Sequence, residues 1–142
     1  MRITADTNVL ISATFWDGSS NKIIEKVENK EIELVLSKDI IKEFMDVLNY
    51  QEIQDKIKDK NLEMKRTVEK IVSISTIIEP MQELDVVKED KEDNKIVECA
   101  IEGNVNYLIS QDKHLLKLKN YKEVKIITPE EFLKLIKASS SA

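Results

Sequence analysis

Apolar residues fall along this chain in two spacings. Short unbroken runs alternate with longer stretches in which apolar positions recur every three or four residues. The runs read as strands and the stretches as amphipathic helices. Residues 2–5, "RITA", form a short buried strand that stops at Asp6. Apolar character resumes at once in "VLISATFW" (9–16), a first helix. "DGSS" (17–20) is a turn from which Ser19 or Ser20 caps a second helix carrying Ile23, Ile24 and Val27 on one face. "IELVL" (32–36) is a second strand. Ser37 then caps a helix over 38–49 whose apolar face is Ile40, Ile41, Phe44, Val47 and Leu48. Asp39 sits in its first turn, where the helix dipole favours a negative charge.

Residues 51–72 are strongly charged, with Ile53, Ile57, Met64, Val68 and Ile71 spaced as on one or two helices. "SISTIIE" (73–79) is a third strand, stopped by Pro80. Residues 81–92 form a loop that grows acidic toward "KEDKED". A helix over 93–103 ends at Gly103, a residue type favoured just past a helix end. "VNYLIS" (105–110) is a fourth strand, 112–119 a short helix and "EVKIIT" (123–128) a fifth strand. Pro129 opens a last helix. Strands alternating with helices imply an α/β fold, a parallel sheet covered on both faces and joined by right-handed crossovers. No internal repeat is visible.

Composition narrows the classes without changing this outline. A chain of 142 residues fits one domain with a proper core. With 42% hydrophobic and 35% charged residues but only 2 Gly and 2 Pro, it reads as helix-rich and globular, not disordered. No apolar run is long enough to span a membrane, and no secretory leader pattern opens the chain. A single cysteine, Cys99, excludes an internal disulfide and points to a reducing, cytoplasmic setting. The abundance of Lys, Glu and Ile is a bias found in heat-adapted proteins. The closing "ASSSA" (138–142) reads as a frayed end or an appended remnant, which leaves 1–137 as the domain. A net charge of −5 argues against nucleic-acid binding over the whole surface and leaves room for a local basic patch.

Candidate chemistry follows from where the acids fall. Ligands of open α/β sheets bind at the carboxyl ends of the strands. Asp6 ends strand one, and Asp112 follows strand four. Asp93 opens the helix leading into strand four, and Glu43 lies in the second turn of the helix after strand two. Helices that follow strands begin at that same edge, so four acids from distant segments converge there. Asp93 falls within the apolar stripe of its helix, with Ile96, Val97, Ala100 and Ile101, and Glu43 flanks its own stripe. Glu98 and Glu102 lie off the stripe, as solvated residues. Each acid alone has a plain reading: Asp93 as a helix cap, Glu43 as a rim ion-pair partner, Asp6 as the start of an Asx turn. Together they repel, so a proton or a cation must neutralise them. An all-oxygen set without a His or Cys cluster selects Mg²⁺ or Mn²⁺ over zinc. Such a site suits metal-assisted attack of water on a phosphodiester.

At these residues the chain resembles the PIN-domain family. The matching motifs are "ADTNVLIS" at the start, "SKDIIKEFMDVL" (37–48), "EDNKIVECA" (92–100) and "LISQDKHLL" (108–116). The resemblance is strongest to the small prokaryotic PIN proteins grouped with the VapC-like toxins of type II toxin–antitoxin systems. It implies a three-layer, Rossmann-like sandwich with a central five-stranded parallel sheet. It also implies a Mg²⁺- or Mn²⁺-dependent ribonuclease acting on RNA. The family's catalytic acids fall on Asp6, Glu43, Asp93 and Asp112, with Asp6, Asp93 and Asp112 as metal ligands. Asn8 and Ser110, with Thr7 beside them, support the carboxylates. Homodimers and a small antitoxin are the implied protein partners. Two positions depart from the family pattern: Gln111 stands where a glycine is common, and His114 where a further acid is common. These leave open one-metal use or weak activity.

Two basic segments flank this pattern. Lys56, Lys58, Lys60, Lys65, Arg66 and Lys70 are interleaved with acids and read as a solvated helix face. Lys113, Lys117 and Lys119, with Lys122 and Lys125, adjoin Asp112 and are candidates to track an RNA backbone. Phe15 and Trp16 suit core or interface packing, or stacking on a base. Cys99 reads as a small buried residue. Two other classes compete with the enzyme: a catalytically weak binding module of the same fold, and a receiver-like domain with a phospho-accepting Asp. The second needs a Lys near the end of the last strand, and "KIIT" does not end in one.

Overall fold

A computed structural model describes residues 1–16, 18–57, 61–88 and 93–141, with side chains except at 56–57, 61–65, 67 and 138–141. Among the described residues the elements run β1 (Arg2–Ala5), α1 (Thr7–Phe15), α2 (Ser19–Glu28), β2 (Glu33–Ser37), α3 (Lys38–Leu48), α4 (Gln51–Ile57), α5 (Asn61–Ile74) and β3 (Ser75–Ile78). They continue as α6 (Asn94–Glu102), β4 (Tyr107–Ile109), α7 (Lys113–Leu116), β5 (Asn120–Tyr121), β6 (Val124–Ile127) and α8 (Pro129–Ser141). Lys58, Lys60 and the side chains of Lys56 and Lys65 lie outside the described residues. So do Asp17 of the first turn and residues 89–92 of the acidic loop.

The central strands are buried without alternation. Ile3, Thr4 and Ala5 of β1 and Leu34, Val35 and Leu36 of β2 are all inaccessible or nearly so. That is the mark of a sheet covered on both faces. The strand order is β3-β2-β1-β4-β6-β5. The first five run parallel. The expected five parallel strands are therefore present, and β5 adds a sixth, antiparallel to β6. Its two residues carry no strand pattern, and the reversal is made by Lys122 at φ 53° without a glycine or asparagine to announce it.

Right-handed crossovers put α1 to α5 on one face, because β1, β2 and β3 step in one direction. The return from β3 to β4 then lays α6 on the other face. The packing agrees: α1 lies against α2, α3 and α5, α2 against α8, and α6 directly on β1, β2 and β4. Leu10, Phe44, Ile71 and Phe132 fill the core between helices and sheet. Among the described residues no helix is long and apolar enough to cross a membrane.

Two helix ends differ from the sequence reading. The N-cap of α2 is Gly18, not Ser19 or Ser20, and no side chain caps the helix. The chain turns at Gly18 with φ 139°, a conformation that glycine alone adopts readily, so both serines fall inside the first turn. Gly103 does follow α6, but with an ordinary φ of −80°. The left-handed residue is Asn104, at φ 49°. Asn104 N–H donates to Ile101 O and Val105 N–H to Ala100 O, the double closure of a Schellman motif. Gly103 serves close packing instead: a Cβ there would stand 2.8 Å from Val35 Cγ1.

Candidate active site

The chain leaves β1 toward β2 on one side and returns to β4 on the other, so the β1–β4 boundary is the switch point of the sheet. Three helices start around it, and each has an aspartate at its N-cap: Asp6 for α1, Asp93 for α6 and Asp112 for α7. For Asp6 and Asp112 this placement has a local cause. A strand that ends in Asp gives the following helix an acceptor for its unpaired amides and a negative charge at its positive end. Asp6 Oδ1 accepts from Val9 N–H at 2.9 Å, and Asp112 Oδ1 from His114 N–H at 2.7 Å.

Asp6, Thr7, Asn8, Glu43, Asp93 and Asp112 line one cleft of about 70 Å³, with Ile40, Val47 and Ile96 as its apolar wall. The volume exceeds the space one water needs and suits an ion with part of its hydration shell. Glu43 is exposed on the α3 wall, whereas Asp6, Asp93 and Asp112 are half-buried. Ser110, fully buried, lies beneath and joins two of the acids. Its hydroxyl donates to Asp6 Oδ2 and accepts from Asp112 N–H at 2.9 Å. Asp6 N–H in turn donates to Ile109 O, tying the end of β1 to the end of β4.

Burial pushes the Asp6 carboxyl above the usual carboxylate range, and the charges of Asp112 and Glu43 add to the rise. The hydrogen bonds from Ser110 and Val9 oppose it. The pocket thus disfavours the ionised form until a positive charge arrives. No ion pair among the described residues reaches Asp6, Glu43 or Asp112; the pairs lie elsewhere, as in Lys38–Glu79 and Lys70–Glu28.

Among the described residues no three acid, histidine or cysteine side chains stand close enough to ligate one ion together. The donors still fit a small hard cation. They are all oxygen, and Mg²⁺ is commonly held by one or two carboxylates with water in its other positions. The Thr7 hydroxyl, buried at the cleft without a hydrogen-bond partner, is a further polar group unspent by the fold.

The lysines named from sequence stand apart from this lining. Lys113 opens α7 beside Asp112, and Lys117 follows one turn on; both are exposed. Lys119 is level with the middle of β6, where its carbonyl accepts from Ile126 N–H. Lys125 pairs with Tyr107 at the amino end of β4, so the far part of that segment faces away from the carboxyl edge. Gln111 donates weakly to Glu130 across 3.4 Å and does not line the cleft. His114 is exposed. Phe15 is buried in the core, and Trp16 stands 42% exposed beside it.

The sequence reading missed two polar residues of α6. Asn94 is buried and holds residues 86–87 through its amide. Glu98, read as solvated, accepts from Leu84 N–H at 2.9 Å. Both bond to a loop without regular structure, so no periodicity could reveal them. An uncharged Asn directly after Asp93 at a helix start was the one available signal.

Fold and site together define a class: a parallel α/β protein that gathers acids from four segments at the switch point of its sheet. The chain belongs to the PIN-domain family. The family model, described as PIN domain, matches residues 2–114, a span that takes in all four acids. PIN domains are typically metal-dependent nucleases. The fold is shared with the crystal structure of PAE2754 from Pyrobaculum aerophilum, at a TM-score of 0.59 and 18% identity over 97% of this chain and 90% of that one. No curated protein matches the chain.

Proposed function

We propose that the protein is a Mg²⁺- or Mn²⁺-dependent endoribonuclease of the VapC-like branch, working in the cytoplasm as the toxin of a type II toxin–antitoxin pair. The observation that carries the hydrolytic reading is the convergence of Asp6, Glu43, Asp93 and Asp112 on one cleft, three of them at helix N-termini. The choice of RNA, and of the toxin branch, rests on the resemblance of the four motifs. A small antitoxin and a second copy of this chain are the protein partners it carries.

In this reading Asp6, Asp93 and Asp112 hold the cation. Bound there, the cation supplies Lewis-acid activation of water and neutralises charge on the phosphate. Ser110 keeps the Asp6 carboxylate oriented through its hydroxyl and holds Asp112 through the backbone. Glu43, exposed on the opposite wall, takes the proton of the attacking water as its oxygen bonds to phosphorus. The phosphorus–oxygen bond to the leaving group breaks, and that oxygen is protonated from solvent. Asn8, exposed at the start of α1, and Thr7 beside it hold carboxylates or water in place. Lys113 and Lys117 contact the RNA backbone beside Asp112, and Lys119, past the end of α7, continues that path down the sheet.

One observation favours the second reading, a binding module with weak catalysis: no three ligating side chains are already gathered for one ion among the described residues. Cleavage of an end-labelled single-stranded RNA with Mn²⁺, Mg²⁺ or EDTA separates the two. The expected result is metal-dependent cleavage by the wild type that falls at least a hundredfold in Asp6→Asn. Equal rates for the two proteins on several RNAs would sink the enzymatic reading.

A further inference from the structure

We propose that Asn94 is the positioning residue for Asp93, closing the loop that ends at this acid and fixing where its carboxylate meets the cleft. The inference rests on the proposed metal site and goes beyond it to a residue outside the cleft lining. Asn94 is the first residue of α6 and is 4% exposed. Its Oδ1 accepts from Val86 N–H at 2.8 Å and Val87 N–H at 2.7 Å, and its Nδ2 donates to Val87 O at 3.1 Å. One side chain thus satisfies three backbone groups of a segment that is itself neither strand nor helix. The match is chemical: two donors and an acceptor on the loop need an acceptor and a donor on one planar group, and an amide provides both.

The three N-cap acids are held differently. Asp6 and Asp112 have extended backbones, and each side chain is oriented by its own cap hydrogen bond. Asp93 is helical at φ −66°, ψ −20°, and its carboxylate does not cap α6. The Asn94 clamp fixes, from the next residue, the backbone that carries Asp93. Without it the start of α6 is no longer fastened to residues 86 and 87. Glu98 holds the same loop at Leu84 one turn further along α6, and so serves as a control for loosening the loop away from Asp93.

Mn²⁺ affinity by isothermal titration calorimetry tests this without relying on turnover, with circular dichroism and thermal midpoints checking the fold. Wild type, Asp93→Asn, Asn94→Ala and Glu98→Ala are compared. Asn94→Ala is expected to weaken Mn²⁺ binding at least tenfold, toward Asp93→Asn, while Glu98→Ala stays within twofold of wild type. Where Asn94→Ala does not fold, Asn94→Ser keeps one acceptor and is expected to lose at least threefold. A folded Asn94 variant that binds within twofold of wild type, while Asp93→Asn is weak, overturns the positioning role alone. Equal losses in the Asn94 and Glu98 variants overturn it too, in favour of general loosening. Asp93→Asn binding Mn²⁺ like wild type, or no binding by any protein, overturns the metal role of Asp93 and this inference with it.

Discussion

At the scale of the residue, Asp6 carries two tasks that pull against each other. It caps α1, which stabilises the fold, and it is buried beside Asp112 and Glu43, which raises its pKa. A carboxyl whose folded pKa is raised binds protons more tightly in the native state than in the unfolded one. Stability therefore falls as pH climbs from the unfolded value, about 3.9, through the raised folded value, and stays lowered above it. Asp6→Asn removes that loss and keeps the cap, because Asn is as good an N-cap as Asp. Metal-free Asp6→Asn is expected to melt above wild type at pH 7, with the gain vanishing below pH ~3.9. Adding Mn²⁺ should raise the wild-type midpoint more than that of the variant, since a ligand stabilises the state it binds. A lower midpoint for the metal-free variant at pH 7 would contradict the sign.

At the scale of the element, the end of α6 shows what a helix needs beyond its pattern. Gly103 is required by space: its φ is open to any residue, yet a Cβ would meet Val35 Cγ1 at 2.8 Å and Cys99 O at 3.0 Å. Gly103→Ala should cost about 1–3 kcal/mol through overpacking. Paired with Val35→Ala it should cost less than the two single changes added together, because residues in contact couple. Chemical denaturation of the four proteins measures this. Additive losses would mean that Val35 is not the obstacle. The start of α8 was legible from Pro129, and the structure adds a reciprocal capping box between Thr128 and Glu131. The start of α2 was not, because the φ of Gly18 answers to the path of the chain and not to the serines that follow.

At the scale of the whole molecule, Cys99 reports on the two-sided burial of the sheet. It is inaccessible on α6, with its thiol near Thr4 Oγ1 of β1 and Val35 O of β2. Burial pushes the thiol up to about 11. The nucleophile is the thiolate, so the native protein should be inert to thiol reagents at pH 8. Labelling is expected to follow global unfolding, with a rate that rises with denaturant in step with the loss of circular dichroism. Rapid labelling in native buffer would show that α6 lifts off the sheet locally.

Sequence and structure divide the account of this protein along a physical line. The five parallel strands, most helices and the edge at which Asp6, Glu43, Asp93 and Asp112 fall were readable from the chain. Hydrophobic period and turn chemistry are local, and a parallel sheet with right-handed crossovers then leaves few arrangements. The family was readable too, because its four motifs lie on strand ends and helix starts. Tertiary structure alone decided the rest: that Ser110 bridges Asp6 and Asp112, that Asn94 holds the loop behind Asp93, that β5 exists, and that Lys119 and Lys125 lie down the sheet from the cleft. Each of these depends on a hydrogen bond or a contact between segments far apart or lacking any period. Such pairings are set by how the layers close on one another, which no local pattern records.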